Sequence, residues 1–498
     1  MKNRILLALF LTILICLNLG GCAKSQELLF PEGAELKRLR EARNAAQQEA
    51  DLSEAEPLET LIDPQAKPDL KKKVVNLAVV GDVLMHLPLI KGAEQADGSH
   101  DFAYSYRYVQ DDIEAADYAC FNMEGTLGGE PYEGYPIFSA PDSLAEQLKK
   151  IGFDMAYAAN NHSLDRGVEG IKATARKLKA AGLDLVGTRE SANDPKYLIK
   201  EVNGLKLGFI NYSYETDKLD GMRALNGIPL PPEGEGLVDS FSLMRAPEDF
   251  FTQDMQAMGE RVKEVKAQGV DFMVALIHWG DEYHTAPNQW QLELAQYLAD
   301  QGVDLIVGAG PHVLQEVKWL QRQDGGRTLC YYSLGNFISN QQFDTGYSNG
   351  FAEDGLMALI QIEKNFRGEV LIKQAGYLAT YCFKVHPAND VTFATLLPVE
   401  AALADISKYQ LEGGEELLQS SLLRIREVMA KNSEGIKSFK SVAEFRADQS
   451  APVESAVEAG EEVEQSAPTE SNPAGEPAES TDPNGEESEQ GSAPETTE

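Results

Sequence analysis

Residues 71–82 read KKKVVNLAVVGD, and at this point the character of the chain changes. Three lysines give way to an apolar run that ends on Asp82. Runs of the same length recur: YACFNM (118–123), DMAYAA (154–159), LDLVG (183–187), LKLGFINYS (205–213), DFMVALIHW (271–279), VDLIVGAG (303–310), LCYYSLGNF (329–337) and GLMALIQI (355–362). Helical patterns lie between several of them: DSLAEQLKKIG (142–152), GVEGIKATARKLKAAG (167–182), MQAMGERVKEVKAQG (255–269) and WQLELAQYLADQG (290–302). Several of these helices run out at a glycine, as a left-handed C-terminal cap requires. Strands alternating with helices predict an α/β protein with largely parallel, buried sheets.

The chain has 498 residues, 43% of them hydrophobic, which is enough for a substantial core. Its formal net charge is −35. Such a field repels phosphate backbones and argues against nucleic acid as a partner. The charge is uneven, because 15 acidic residues and no Lys or Arg follow Arg446. Residues 447–498 are mostly Glu, Ser, Pro, Ala, Gly and Thr, a composition expected to remain disordered. Before them, 401–446 carries a helical segment, EELLQSSLLRIREVMAK.

The N-terminus has a basic start at Lys2 and Arg4, an apolar core, ILLALFLTILICLNL, and then LGGC ending at Cys22. This reads as a secretory signal over residues 1–22. The small residues before Cys22 resemble a bacterial lipobox. The resemblance implies a lipid on Cys22 and an anchor on the extracytoplasmic face of the membrane. Residues 23–73 are charged and Ala- and Glu-rich, and read as a spacer. Cys120, Cys330 and Cys382 have neither metal-knuckle nor disulfide spacing, and two of them lie in apolar runs as core residues.

Polar residues interrupt the ends of the strands: Asp82, Glu124, Asn161 with His162, His278 and His312. Ligands of open α/β sheets bind outside the carboxyl ends of the strands, so these groups are expected to converge. Oxygen and imidazole donors without thiolates suit Mn²⁺, Zn²⁺ or Fe²⁺. One at a time, each has a plain structural reading: Asp82 as a helix cap, Glu124 as a rim residue, His278 as a core imidazole. Together the six are harder to place as unrelated satisfied side chains.

The stretches AVVGDVLMH, FNMEGTL, YAANNHSLDRGVEGI, ALIHWGDEY, IVGAGPHVLQEV and YYSLGNFI resemble the bacterial CapA family, the poly-γ-glutamate capsule proteins. That family is similar to the calcineurin-like metallophosphoesterases. The resemblance implies a two-sheet sandwich flanked by helices over residues 74–400. It implies metal ligation by Asp82, Glu124, Asn161, His278 and His312, with one or two ions, and catalysis by His162 beside Asn161. Leu84 stands where the superfamily has a ligating histidine, and Gly310 where a paired histidine is common. Asn336 is read as orienting substrate or water, or as a plain turn amide. Trp279, Glu282 and Tyr283 are read as rim residues that contact a polymer or simply pack. The resemblance implies a role in capsule synthesis or export, with an anionic polymer or its synthesis machinery as partner. A metal-dependent hydrolase, a non-catalytic polymer-binding accessory and a surface phosphoesterase with no capsule role all remain open.

Overall fold

Alternate residues of the central strands point into two different cores. Val75, Leu77 and Val79 join one buried cluster, whereas Ala78 and Val80 join another. Likewise Val274 and Leu276 face one way, and Met273, Ala275 and Ile277 the other. Side chains alternate across a strand, so both faces of each sheet are covered. This is why the strands read as unbroken apolar runs.

A computed structural model describes residues 72–448, apart from residues 220, 342–349, 389–390, 410 and 412–413. Cys22 and the signal segment, nearly all of the spacer and the tail beyond residue 448 lie outside the described residues. Among the described residues, no helix is long and apolar enough to cross a membrane.

Strands are numbered along the chain. The first sheet runs in the order β18 (Val391–Pro398), β17 (Val370–Ala388), β16 (Asp354–Lys364), β1 (Lys73–Leu84), β2 (Tyr118–Glu124), β3 (Met155–Tyr157) and β4 (Asp184–Val186). Two short strands, β15 (Asn336–Ile338) and β19 (Lys437–Ser438), pair with β1 and β17. The second sheet runs β10 (Ser240–Phe241), β6 (Leu205–Tyr214), β11 (Phe272–His278), β12 (Leu305–Ala309), β14 (Arg327–Tyr331) and β13 (Val317–Gln321), with β5 (Leu198–Val202) on β6. A small third sheet holds β7 (Thr216–Leu219), β8 (Met222–Leu225) and β9 (Ile228–Pro229).

The two large sheets share the cluster that contains Val79, Cys120, Phe209, Leu276 and Val307. Helices cover the outer faces. Among them are α1 (Ser143–Lys150) and α2 (Gly167–Ala180) beside the first sheet, and α3 (Phe250–Lys266) and α4 (Gln289–Asp300) beside the second. The architecture is the helix-flanked two-sheet sandwich that the resemblance implies.

One part differs from the expectation of largely parallel sheets. β1 to β4 are parallel, as are β6, β11, β12 and β14, but β16, β17 and β18 form an antiparallel meander. Tight turns such as Asn365–Gly368, in which Gly368 N–H donates to Asn365 O at 3.0 Å, reverse the chain without a crossover helix. The C-terminal helices are part of the same body. Leu418, Ile425 and Val428 of α5 (Gly414–Met429) lie in the core between the sheets. Arg424 of α5 grips Asp354 of β16 with Nε at 2.6 Å and Nη2 at 2.8 Å. At the first residue of α6 (Val442–Ala447), the Val442 N–H donates to Asp112 Oδ1 at 2.8 Å. Cys120, Cys330 and Cys382 are free thiols buried in the core.

Candidate metal centre

β1 delivers Asp82 through a local irregularity between Val80 and Asp82 in its pairing with β2. Gly81 is required there, because a Cβ would come within 1.9 Å of Gly335 O. Glu124 and His278 are the last residues of β2 and β11. His312 sits in the turn after β12 with φ +59, a left-handed conformation that costs a non-glycine residue about 1 kcal/mol or more. Asn161 and His162 open a one-turn 3₁₀ helix, Asn161–Leu164. Asn160 caps that turn by accepting the His162 N–H at 3.1 Å, and its own Nδ2 donates to Met123 O at 2.7 Å. The cap thus sets the NNH turn against the end of β2.

Asp82, Glu124 and His312 offer ligand atoms that all lie within 4.8 Å of one another, and all three are buried. Glu124 Oε1 is 3.7 Å from His312 Nε2 and 3.8 Å from His278 Nε2. Neither oxygen of Glu124 has a hydrogen-bond partner, and neither has Asn161 Oδ1. Burying a carboxylate without partners is strongly unfavourable. Donors on one ion stand about 2.0–2.2 Å from it, so donor pairs a little under 4 Å apart are what a shared cation needs. This buried Asp–Glu–His group could therefore hold a metal ion, with His278 adjoining it.

The charges follow from the same packing. Burial pushes the Glu124 carboxyl well above the usual range, and the neighbouring Asp82 adds to this. Burial also acts to raise Asp82, but the hydrogen bond and charge of His312 outweigh it and hold Asp82 below its ordinary value. Burial pulls His278 down to about 3, so it is neutral. At His312 burial works against the cation, yet Glu124 and Asp82 lift it to about 10. Without an ion, the proton on His312 is the local positive charge.

Asn122, Asn211 and Asn226, which the sequence reading did not single out, build the scaffold together with Asn160 and Asp165 of the NNHSLD stretch. Asn122 Nδ2 donates to Asp82 Oδ1 at 2.8 Å and lies 3.3 Å from His278 Nδ1, linking the two sheets. Asn211 is a second link: its Oδ1 accepts the Ala159 N–H at 2.7 Å and its Nδ2 donates to Leu276 O at 3.0 Å. Asn160 is the cap already described. His162 Nδ1 is 2.8 Å from Asp165 Oδ2, and Asn226 Nδ2 donates to Asp165 Oδ1 at 3.0 Å. Asparagine is disfavoured inside strands, so FNM and FINYS carried a signal for Asn122 and Asn211.

Trp279 and Asn336, each read as a substrate contact or as a plain structural residue, are both buried. Trp279 is fully buried, donates Nε1–H to Tyr332 O at 2.8 Å and stacks on Tyr332. An indole placed one residue past an inward-facing strand end fills core instead of the rim. Asn336 is buried too. Its Oδ1 faces His312 Nδ1 at 3.1 Å, and its Nδ2 donates to Gln341 Oε1 and Ala352 O, both at 2.9 Å. Its oxygen is thus turned to His312, while its amide hydrogens tie it to Gln341 and to the backbone of Ala352. Glu282 is exposed. Tyr283 packs beside His312, with ring centroids 6.1 Å apart. His86 places Nδ1 against the backbone, near Leu84 O at 3.4 Å and Asn340 N at 3.3 Å. At Gly310, with φ +108, a Cβ would stand 3.0 Å from His278 Nε2, so the space a second histidine would need belongs to His278.

The chain is 30% identical over 283 residues to the capsule biosynthesis protein CapA of Bacillus anthracis, covering 55% of this chain and 61% of that protein. It is 29% identical over 305 residues to the PGA biosynthesis protein CapA of Bacillus subtilis, covering 59% of this chain and 70% of that protein. The chain thus spans less than two thirds of the first relative. A solved structure, the Haemophilus influenzae NAD nucleotidase, aligns over 74% of this chain and 65% of its own with a TM-score of 0.37 and 12% identity. The family described as bacterial capsule synthesis protein PGA_cap matches residues 76–341, which hold Asp82, Glu124, Asn161, His162, His278 and His312. That match spans more than half of the sequence, and the chain belongs to the PGA_cap family of bacterial capsule synthesis proteins.

Proposed function

We propose that this chain is an extracytoplasmic, lipid-anchored capsule-biosynthesis protein with a divalent-metal, hydrolase-type site. The observation that carries the site is Glu124: a buried carboxylate with two unpartnered oxygens, set between the Nε2 atoms of His278 and His312. Asp82, Glu124 and His312 would hold the ion, and His278 and Asn161 would complete or double the site. Mn²⁺, Zn²⁺ and Fe²⁺ suit this donor set. Such an ion, when bound, polarises a phosphoryl oxygen and makes a water more acidic.

The remaining work belongs to the chain. Asn122 fixes the Asp82 carboxylate, and Asn336 fixes the His312 ring. Asp165 takes the Nδ1 side of His162. That leaves Nε2 as the nitrogen able to give a proton to a leaving oxygen. The bond cleaved is of the phosphoryl or amide class. The anchor would be Cys22, and the acidic tail would repel a polyanionic product or serve as a solvated brush that spaces the domain within the wall.

Leu84 and Gly310, standing in place of two histidines, favour a second reading: a binding pocket in a non-catalytic accessory of polymer export. Full-length protein, purified anaerobically, decides between them by metal analysis and by hydrolysis of bis(4-nitrophenyl) phosphate. Bound metal with turnover that is lost in His162→Ala supports the hydrolase. An empty site, or unchanged surface polymer in cells carrying His162→Ala, supports the accessory.

A further inference from the structure

The hairpin of β8 and β9 turns on two residues, Asn226 and Gly227, with Leu225 paired to Ile228. Both have positive φ, +49 and +69. Asn-Gly is the pair that a two-residue turn of this hand demands, so the backbone alone accounts for the residue types. The side chain does something further. The two hydrogens of Asn226 Nδ2 have two acceptors, Asp165 Oδ1 and Pro136 O, each at 3.0 Å, and His162 Nδ1 is 3.2 Å away. Asp165 Oδ2 meanwhile accepts the Phe138 N–H at 2.7 Å and faces His162 Nδ1 at 2.8 Å. The carboxylate is therefore held on both oxygens, and the imidazole has one orientation.

The hairpin is fastened at both ends. Leu225 and Leu230 pack with Leu164 and Ile171, so its tip rests on the turn that carries His162. At its base, Arg223 bridges Glu215 at 2.6 Å and Asp254 at 2.8 Å.

We propose that Asn226 is a positioning residue: the hairpin tip holds Asp165 and thereby aims His162 Nε2 at the leaving group. The role of His162 as proton donor rests on the hydrolase reading of the site; its orientation by Asn226 does not. In the step served, water adds to phosphorus and the P–O bond to the leaving group breaks with its electron pair. The leaving oxygen takes the proton from His162 Nε2, and the surplus proton of the water replaces it.

Two substitutions suit the left-handed turn and so separate positioning from folding. Asn226→Gly keeps the turn and removes the amide. Asn226→Asp keeps the turn and sets a second carboxylate against Asp165. In full-length protein labelled with ¹⁵N at its seven histidines, the hydrogen-bonded Nδ1–H of His162 should give a low-field proton signal, assigned by its loss in His162→Gln. The signal should disappear or shift in both Asn226 variants, at unchanged melting temperature and metal content. The rate on an unactivated phenyl phosphodiester should fall about tenfold more than that on a 4-nitrophenyl ester, since a good leaving group needs little protonation. A signal that persists in Asn226→Gly, or equal slowing of both esters, overturns the proposal. If the unsubstituted protein hydrolyses neither ester, the hydrolase reading fails, and the His162 signal alone still decides whether Asn226 orients that ring.

Discussion

His312 Nδ1 lies 3.1 Å from Asp82 Oδ2, although 230 positions of chain separate the two residues. One belongs to the first strand of the first sheet and the other to a turn of the second sheet. Their contact ties the two sheets together, and it would make metal binding at this group a proton-linked event.

Ligation needs a neutral imidazole, and His312 holds its proton up to about pH 10. Below that pH the metal must displace at least one proton, so apparent affinity should rise about tenfold per pH unit between pH 6 and 9. Titration calorimetry in buffers of different ionisation enthalpy should count the released proton. Affinity that does not change with pH would show that His312 is not a ligand.

Glu124→Gln should separate binding from stability. The amide keeps the shape of the side chain and removes a buried, unpartnered charge. Metal affinity should fall at least tenfold. The melting temperature in EDTA should stay level or rise, because no desolvated carboxylate remains to destabilise the fold. A large drop in EDTA would mean that Glu124 has a structural partner.

Burial raises the Asp112 carboxyl from 3.8 to about 6 in the folded protein, against the hydrogen bond from Val442 N–H. The folded state therefore binds this proton more tightly than the unfolded state. Stability from this group is complete below pH 3.8 and is lost as pH rises to 6. Asp112→Asn keeps an acceptor for Val442. It should gain about 3 kcal/mol over the parent at pH 7, and the gain should vanish near pH 4. Urea unfolding at the two pH values measures it.

Gly310→Ala should cost about 1–3 kcal/mol. Its Cβ would sit 2.8 Å from Trp279 O and 3.0 Å from His278 Nε2, at φ +108. The strain falls on His278, so metal affinity should drop with stability. Thermal melting paired with metal titration tests this, and a well-folded variant with full affinity would count against the described position of His278.

Much of this protein was legible in its sequence. Unbroken apolar strands separated by amphipathic helices specify a sheet covered on both faces, since only that environment buries every side chain of a strand. The polar residues at the strand ends were legible as well, because Asp82, Glu124, His278 and His312 interrupt patterns that are otherwise apolar. Tertiary structure alone decided which polar groups touch. Trp279 and Glu282 are three residues apart, yet the first closes the core and the second faces solvent. Asn122 and Asn211 stand out in their strands and Asn226 reads as a turn residue, but all three become supports of the site only because two sheets and a hairpin bring distant backbone together. Periodicity records which face of an element is buried. It holds no record of which other element lies against that face, and hydrogen bonds between sheets are made there.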